Sequence, residues 1–332
     1  METAPWFEDF AHGDTFDAVP PVTLTTGHTA LHQALFGDRL RLFLDHEFCR
    51  RVTGREAPLV HPSLVCNLAI GQSTLPSQRV MGNLFYRGLV LRQPVFVGDT
   101  LTTSTRVVAL RQNAVRPERP ASGMVVLEVK VVNQRDETVM LFWRCPMIPC
   151  RDPGADTGRQ DSLDVIPTGI EEQDLQSVLP NWNYAAFPPA PALELDEPMS
   201  VVGRDTVTLA PELVRLTLNM AMTHTDAGAS VYGQRLVYGG HTISMAAAQL
   251  GRVVPQLVTL LGWFHCDHLA PVFEGDILES SVRLERVIEA DTASIGVLKV
   301  VTSAERSATA PSPGERIRVL DWRLAAILAG ST

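Results

Sequence analysis

Several signatures that would assign a function directly are missing from this 332-residue chain. It has no run of Lys or Arg, and its formal net charge is −9. An acidic chain without a basic stretch is a poor match for a nucleic-acid backbone, although a local basic patch for one anionic ligand is compatible with that charge. Polar residues interrupt every apolar stretch well before the roughly 18 positions a membrane span needs. The five cysteines, Cys49, Cys66, Cys145, Cys150 and Cys266, are odd in number and form no C-x-x-C pair, so they read as reduced thiols of a cytoplasmic protein. The first ten residues carry Glu2, Glu8 and Asp9 and no apolar core of the kind a signal peptide requires. Neither G-x-G-x-x-G nor G-x-x-x-x-G-K occurs, which removes the common phosphate-cradling loops, and the lack of G-x-S-x-G removes the nucleophile elbow.

What is present is a chain that contains itself twice. Pro94-Val95-Phe96-Val97-Gly98-Asp99 returns as Pro271-Val272-Phe273-Glu274-Gly275-Asp276, an offset of 177 residues from Gly98 to Gly275. Leu59-Val60-His61 returns as Leu236-Val237-Tyr238 in the same register. A period this long means a duplicated domain rather than a solenoid. In the repeated turn, Pro fixes the entry, Gly supplies a permissive backbone and Asp caps the turn before a strand. Three strand-like segments follow each copy, 100–111, 123–133 and 137–147 in the first and 276–288, 292–303 and 316–328 in the second, with alternation and β-branched content. A helix is predicted before each set, at 63–74 and at 241–253, the latter with Ile243, Ala246, Ala247 and Leu250 on one face. Each half is thus one helix with a curled antiparallel sheet, an α+β unit. With 45% hydrophobic and 20% charged residues the chain can bury two such cores. The predicted boundaries are an N-terminal lobe at 1–150, a Pro-, Gly- and Asp-rich linker at 151–194 and a C-terminal lobe at 195–332.

Candidate chemistry concentrates in the second lobe. A polar segment, 219–226, follows a predicted helix at 211–218 and contains Asn219, His224 and Asp226. Twelve residues beyond Asp226 comes Tyr238-Gly239-Gly240-His241, leading into the second helix. An imidazole such as His224 carries a proton near neutral pH. Glycines at a helix N-terminus expose N–H groups and the positive dipole end to a developing oxyanion. Each feature alone is commonplace; their occurrence together in one lobe points to a site. The first lobe has His61-Pro62-Ser63 at the matching positions, and Pro62 lacks the backbone donor, so one working site is expected rather than two. The run Phe264-His265-Cys266-Asp267-His268 contains ligand-type residues, but neighbours on a strand rarely converge on one ion, and it is read as a strand or rim segment without a metal.

These residues resemble a known family. Trp6-Phe7-Glu8-Asp9-Phe10 with Gly13-Asp14, and P-V-x-x-G-D in each lobe, are similar to MaoC-like hydratases. Closer still is the resemblance to the mesaconyl-coenzyme A hydratase (β-methylmalyl-coenzyme A dehydratase) family. It is carried by Leu110-Arg111-Gln112-Asn113, Val132-Asn133-Gln134-Arg135-Asp136-Glu137, Arg151-Asp152-Pro153 and, most specifically, Arg235-Leu236-Val237-Tyr238-Gly239-Gly240-His241-Thr242-Ile243-Ser244. The matches span most of the chain. The resemblance implies a tandem (double) hot-dog fold, each lobe a sheet wrapped round a central helix. It also implies reversible hydration of a double bond conjugated to an acyl-coenzyme A thioester, with no cofactor. The wider family carries D-x-N-P-x-H; aligning its His with His224 puts Asn219 at the Asp position and Ala221-Met222 at Asn-Pro, which removes one of the two usual general bases.

The expected roles are His224 as base, Asn219 as an orienter of water and the Gly240 N–H, with that of Gly239, as holder of the enolate oxygen. Tyr238 and His241 are expected at the pocket or helix start, Arg235 on a phosphate or carboxylate, and Asp226 as a partner for the His224 ring. Two other classes compete. A hot-dog thioesterase would want a carboxylate near the carbonyl, and a non-catalytic acyl-coenzyme A-binding protein would explain Asn219. The doubled chain already supplies the usual two-lobe unit, so a homodimer is compatible but not required.

Overall fold

In the computed structural model, residues 4–114, 119–290, 293–308, 310 and 312–329 are described. Eight long strands dominate: β1 (Gly82–Leu91), β2 (Thr100–Gln112), β3 (Ser122–Val132), β4 (Thr138–Pro149), β5 (Leu257–His268), β6 (Ile277–Glu289), β7 (Ser294–Glu305) and β8 (Arg316–Leu328). With short edge strands they form one antiparallel sheet in the order β2-β3-β4-β1-β5-β8-β7-β6. Each half wraps a central helix, α1 (Pro62–Gln72) in the first lobe and α2 (Gly239–Val253) in the second. α1 is buried throughout and α2 is buried from Gly240 to Leu250, as expected of helices enclosed by sheets. Among the described residues no helix is long and apolar enough to cross a membrane, and all five cysteines are free and buried.

The lobes meet as copies of one another. β1 pairs with β5 so that Phe85 faces Asp267 and Val90 faces Gly262. Phe85 and Gly262 are repeat mates, as are Val90 and Asp267, so the pairing is two-fold and self-complementary. On the same axis the Asn67 Nδ2 donates to Ser244 Oγ at 2.8 Å, again between mates 177 residues apart. Tyr86 packs edge-on against its mate Trp263, with ring centroids 5.8 Å apart. The sequence leaves β1 unmarked, and β5 only as a strand or rim segment at its end. Both run through the interface, where burial does not alternate cleanly along the strand, so the period-2 signal is lost.

The repeated turns behave alike. Gly98 and Gly275 take φ of 101° and 90°, a region open mainly to glycine. The Asp99 and Asp276 carboxylates accept the Phe96 and Phe273 N–H groups at 2.8 and 3.0 Å. The helices differ by a few residues from expectation. α1 stops at Gln72 because the Ser73 and Thr74 hydroxyls bond back to the Ile70 and Gly71 carbonyls. α2 starts at Gly239, with Tyr238 as N-cap, so both glycines lie inside its first turn. The helix predicted at 211–218 is Ala210–Leu216, ended by Leu218 with φ 55°. Helices Thr26–Phe36 and His46–Thr53 are not foreseen, although the second is amphipathic, burying Phe48, Cys49 and Val52 behind an Asp45 N-cap. Thr292, the expected start of one strand, lies outside the described residues, as do Met1–Thr3. The segment 151–194 is mostly irregular, with a short helix Glu172–Ser177, and it buries Leu175, Trp182 and Tyr184 on the lobes.

Asp276 is fully buried and accepts from Arg306 Nη1 at 2.6 Å and Ser307 N at 3.1 Å, whereas Asp99 faces the exposed Arg135 at 3.5 Å. Asp276→Ala should therefore cost about 3–5 kcal/mol by leaving a buried guanidinium unpaired, against about 1 kcal/mol for Asp99→Ala. Urea unfolding of both variants checks this; equal losses would contradict it.

Candidate active site

A cleft of about 190 Å³ opens where the lobes meet. From the second lobe it is lined by Asn219, Ala221, His224, Tyr238, Gly239 and His268; from the first, by Thr74, Asn83, Tyr86 and Arg144. Backbone bonds across the lobe boundary place the 219–224 segment there. Met220 N donates to Thr74 Oγ1 at 2.7 Å and Met222 N to the Gln78 carbonyl at 2.9 Å. Residues 222–224 then form a single 3₁₀ turn. Leu236 N donates to the Thr223 carbonyl at 2.9 Å, and Val237 N to the Val272 carbonyl at 3.0 Å, which ties this segment to the repeated turn.

The His224 ring is fixed by one bond. Its Nδ1 lies 2.8 Å from the Leu236 carbonyl, which can only accept, so Nδ1 carries the proton and Nε2 keeps a lone pair. Burial, together with the nearby Arg144 charge, pushes the ring down to about 4, against the donated bond, so it is neutral at pH 7. Asn219 is fixed as firmly. Its Oδ1 accepts the Ala221 N–H at 2.9 Å, which sets the amide orientation. Its Nδ2 is buried and has no protein partner. Both residues line the same cleft, one with a ring nitrogen left as an acceptor and the other with an amide donor that no protein group takes.

Gly239 lies at the lip of α2 where no larger residue fits. A Cβ there would stand 2.5 Å from His268 Nε2. Gly240 is glycine for a different reason: its Cβ would stand 2.1 Å from Asn67 Oδ1, so it permits the crossing of the two central helices. The Cα of Gly240 faces that crossing, and its atoms do not line the cleft, although its N–H belongs to the first turn of α2. Tyr238 packs 5.6 Å from the His224 ring and donates its hydroxyl to the Asn67 carbonyl at 3.0 Å.

The structure does not bring the other sequence-derived candidates into the cleft. His241 turns away; its Nε2 bonds the Thr208 carbonyl at 2.8 Å and its ring packs on Phe36. Arg235 pairs with Glu274 at 2.8 Å on the surface. Asp226 caps the next turn through Gly228 N at 2.8 Å, and the His224 tautomer is set by the Leu236 carbonyl instead.

Two lining residues are not foreseen. His268 has a buried Nε2 without a partner and is held down to about 4 by burial. Strand alternation separates it from His265, which pairs with Asp321 at 2.9 Å on the other face. No metal-binding group of three or more His, Cys, Asp or Glu gathers among the described residues. The repeat carries the signal for His268, since its mate is Leu91. Arg144 is the second, a lone cation within the apolar strand β4.

The first lobe holds the mate of this cleft, reduced to about 40 Å³. Where the cleft has Leu236, Gly239, Thr242 and His268, the mate has Leu59, Pro62, Val65 and Leu91, and Val178, Pro180 and Trp182 of the connecting segment close over it. It has neither imidazole nor free helix N–H.

A double hot-dog with a polar cleft at the lobe boundary is the architecture shared with a MaoC domain protein dehydratase of known structure. Comparison with known proteins agrees. No family model matches the chain. It is 30% identical over 315 residues to the β-methylmalyl-CoA dehydratase of Chloroflexus aurantiacus, covering 91% of this chain and 88% of that one. It is 28% identical to the mesaconyl-CoA hydratase of Cereibacter sphaeroides, over 92% and 90% of the two chains. Among solved structures it superposes on a conserved hypothetical protein of Mycobacterium tuberculosis, described as having a double hotdog fold. The TM-score is 0.86, with 41% identity and 98% of both chains covered. A Chloroflexus aurantiacus chain assigned as a MaoC domain protein dehydratase gives a TM-score of 0.81 at 25% identity over the whole of both chains. The chain belongs to the β-methylmalyl-CoA dehydratase/mesaconyl-CoA hydratase family.

Burial has a cost in acid. His224, His241 and His268 are all lowered to about 4, while in the unfolded chain they titrate near the usual 6.5. Between those values the unfolded state binds more protons, so their contribution is intact above about 6.5 and is lost as pH falls toward 4. The urea midpoint should drop between pH 7.5 and 5, each ring contributing up to about 1.4 kcal/mol per pH unit. An unchanged midpoint would contradict the buried neutral state.

Proposed function

We propose that this chain catalyses reversible hydration of a short enoyl-coenzyme A, with mesaconyl-CoA and β-methylmalyl-CoA as the pair that its relatives' names suggest. The observation that carries the reading is a neutral, tautomer-fixed imidazole sharing a cleft with an amide donor and the first turn of a helix. Water accepts from Asn219 Nδ2 and donates to His224 Nε2. Its oxygen forms the new bond to the β-carbon as its proton passes to His224, and the π electrons move to the thioester oxygen. That oxygen is met by the N–H group of Gly239, which lines the cleft, and by the positive end of α2, where one aimed donor is worth about 2.7–4 kcal/mol. The imidazolium formed is strongly acidic, because its environment favours the neutral ring. It returns the proton to the α-carbon, which closes the balance, and dehydration is the reverse. Asn219 has no useful proton to give or take, so one titrating group does both transfers.

A thioesterase reading is less well supported. No Asp or Glu lines the cleft, so it has no carboxylate to attack the carbonyl or to activate water there. The eleven residues between Asp226 and Tyr238 leave Val231 and Tyr232 exposed at the rim, where a pantetheine arm would enter. The cytoplasmic location expected from the reduced cysteines suits a coenzyme A ester.

His224→Ala should lower kcat on mesaconyl-CoA by about 10²–10⁴-fold while leaving the unfolding midpoint close to that of the parent chain. Near-normal turnover would remove His224 from the chemistry. In the unmodified protein the neutral base is required, so kcat/KM should hold level as pH falls to about 5 and decline only toward about 4. A limb at the ordinary histidine value of about 6.5 would show that the ring is not buried as described.

A further inference from the structure

Arg144 is the one formally charged residue lining the cleft, since His224 and His268 are neutral and no Asp, Glu or Lys joins them. It is 98% buried, with 2% of its surface exposed. Its partners are all uncharged. Nε donates to Asn83 Oδ1 at 3.2 Å, Nη1 to Ser73 Oγ at 2.7 Å and to the Ile70 carbonyl at 3.4 Å, and Nη2 to Ser77 Oγ at 3.2 Å. The groups that feel its charge most are Tyr86, Tyr238 and Cys145, all neutral. A buried cation without a counter-ion is costly. The C-terminus of α1, at Ile70 and Ser73, offsets part of that cost through Nη1. The two Nη2 protons have a single protein acceptor between them, so one donor remains unused.

Resting on the hydratase reading above, we infer that Arg144 is the residue that receives the free carboxylate of the acyl group. The chemistry of the suggested substrate fits this position. In mesaconyl-CoA the free carboxylate is attached to the β-carbon, the atom water attacks. Arg144 lies close enough to depress the protonation of both His224 and His268. A guanidinium there would hold that carboxylate with the β-carbon beside the base, and the negative charge would replace the missing counter-ion. A phosphate of coenzyme A is a poorer occupant: the cleft's 190 Å³ suits a small acyl group, and the residue is buried within it rather than at the exposed rim. Arg144 is thus a specificity residue contributed by the lobe that lacks the catalytic machinery.

The test compares mesaconyl-CoA with its uncharged methyl ester, in binding by calorimetry and in turnover by loss of the conjugated double bond. The parent protein should favour the acid by roughly 10- to 150-fold, the range for a hydrogen bond to a charged group. Arg144→Gln should remove that preference by weakening the acid alone, and Arg144→Lys should restore part of it. Equal loss on acid and ester in Arg144→Gln would make the residue a brace for α1 and overturn the inference. If neither variant folds, a parent protein that binds acid and ester alike overturns it. Hydration of both esters without preference leaves the hydratase reading intact; preferential binding of the acid without turnover of either removes that reading and keeps the carboxylate site.

Discussion

The site depends on how closely the two central helices cross. The Gly240 Cα sits against the Asn67 side chain, and the Asn67 amide reaches Ser244 at 2.8 Å. Any side chain at 240 would displace the Asn67 amide, and the Tyr238 ring, from the crossing. Because β1 and β5 also pair across the same axis, the crossing sets the sheet and helix layers of both lobes in one register. Thr74 and Gln78 of the first lobe can then clamp the 219–224 segment of the second. The imidazole is carried by one half of the duplication and held in place by the other.

Duplication followed by divergence explains the single cleft. Symmetry supplies two equivalent pockets, and sequence fills one of them. Pro62 in place of Gly239 deletes a helix N–H, Leu91 in place of His268 deletes an imidazole, and the connecting segment lays Trp182 over the remainder. The first lobe contributes walls and one charge to the cleft that remains. Its Arg144, Asn83 and Tyr86 line it together with His224 and Gly239 of the other lobe. The cleft that results has no acid group among its lining residues, and burial of the two imidazoles that line it keeps them neutral far below their ordinary range.

Much of this is legible in the sequence, for reasons that can be named. The P-V-x-x-G-D turns stand out because a positive φ and a carboxylate cap restrict the choice of residue at fixed positions. The long strands after them show alternation because one face of each meets a helix. His224 and Gly239 are found because a polar segment and a glycine pair interrupt an apolar lobe. The misplacement of His241 and Arg235 has one cause: closeness in sequence to a glycine turn says nothing about which side of a helix or loop a residue faces. Arg144 is missed for the opposite reason, since Ser73, Ser77 and Asn83 lie more than sixty positions away along the chain. His268 is readable only when the two copies are compared position by position.

The central claim is that water adds to carbon in this cleft. Its most direct test is to incubate the protein with mesaconyl-CoA in water enriched in heavy oxygen and to locate the label by mass spectrometry. The account predicts label in a β-hydroxyl on an intact thioester. Label in a released carboxylate, accompanied by free coenzyme A thiol, would show that water attacks the carbonyl instead and would contradict it.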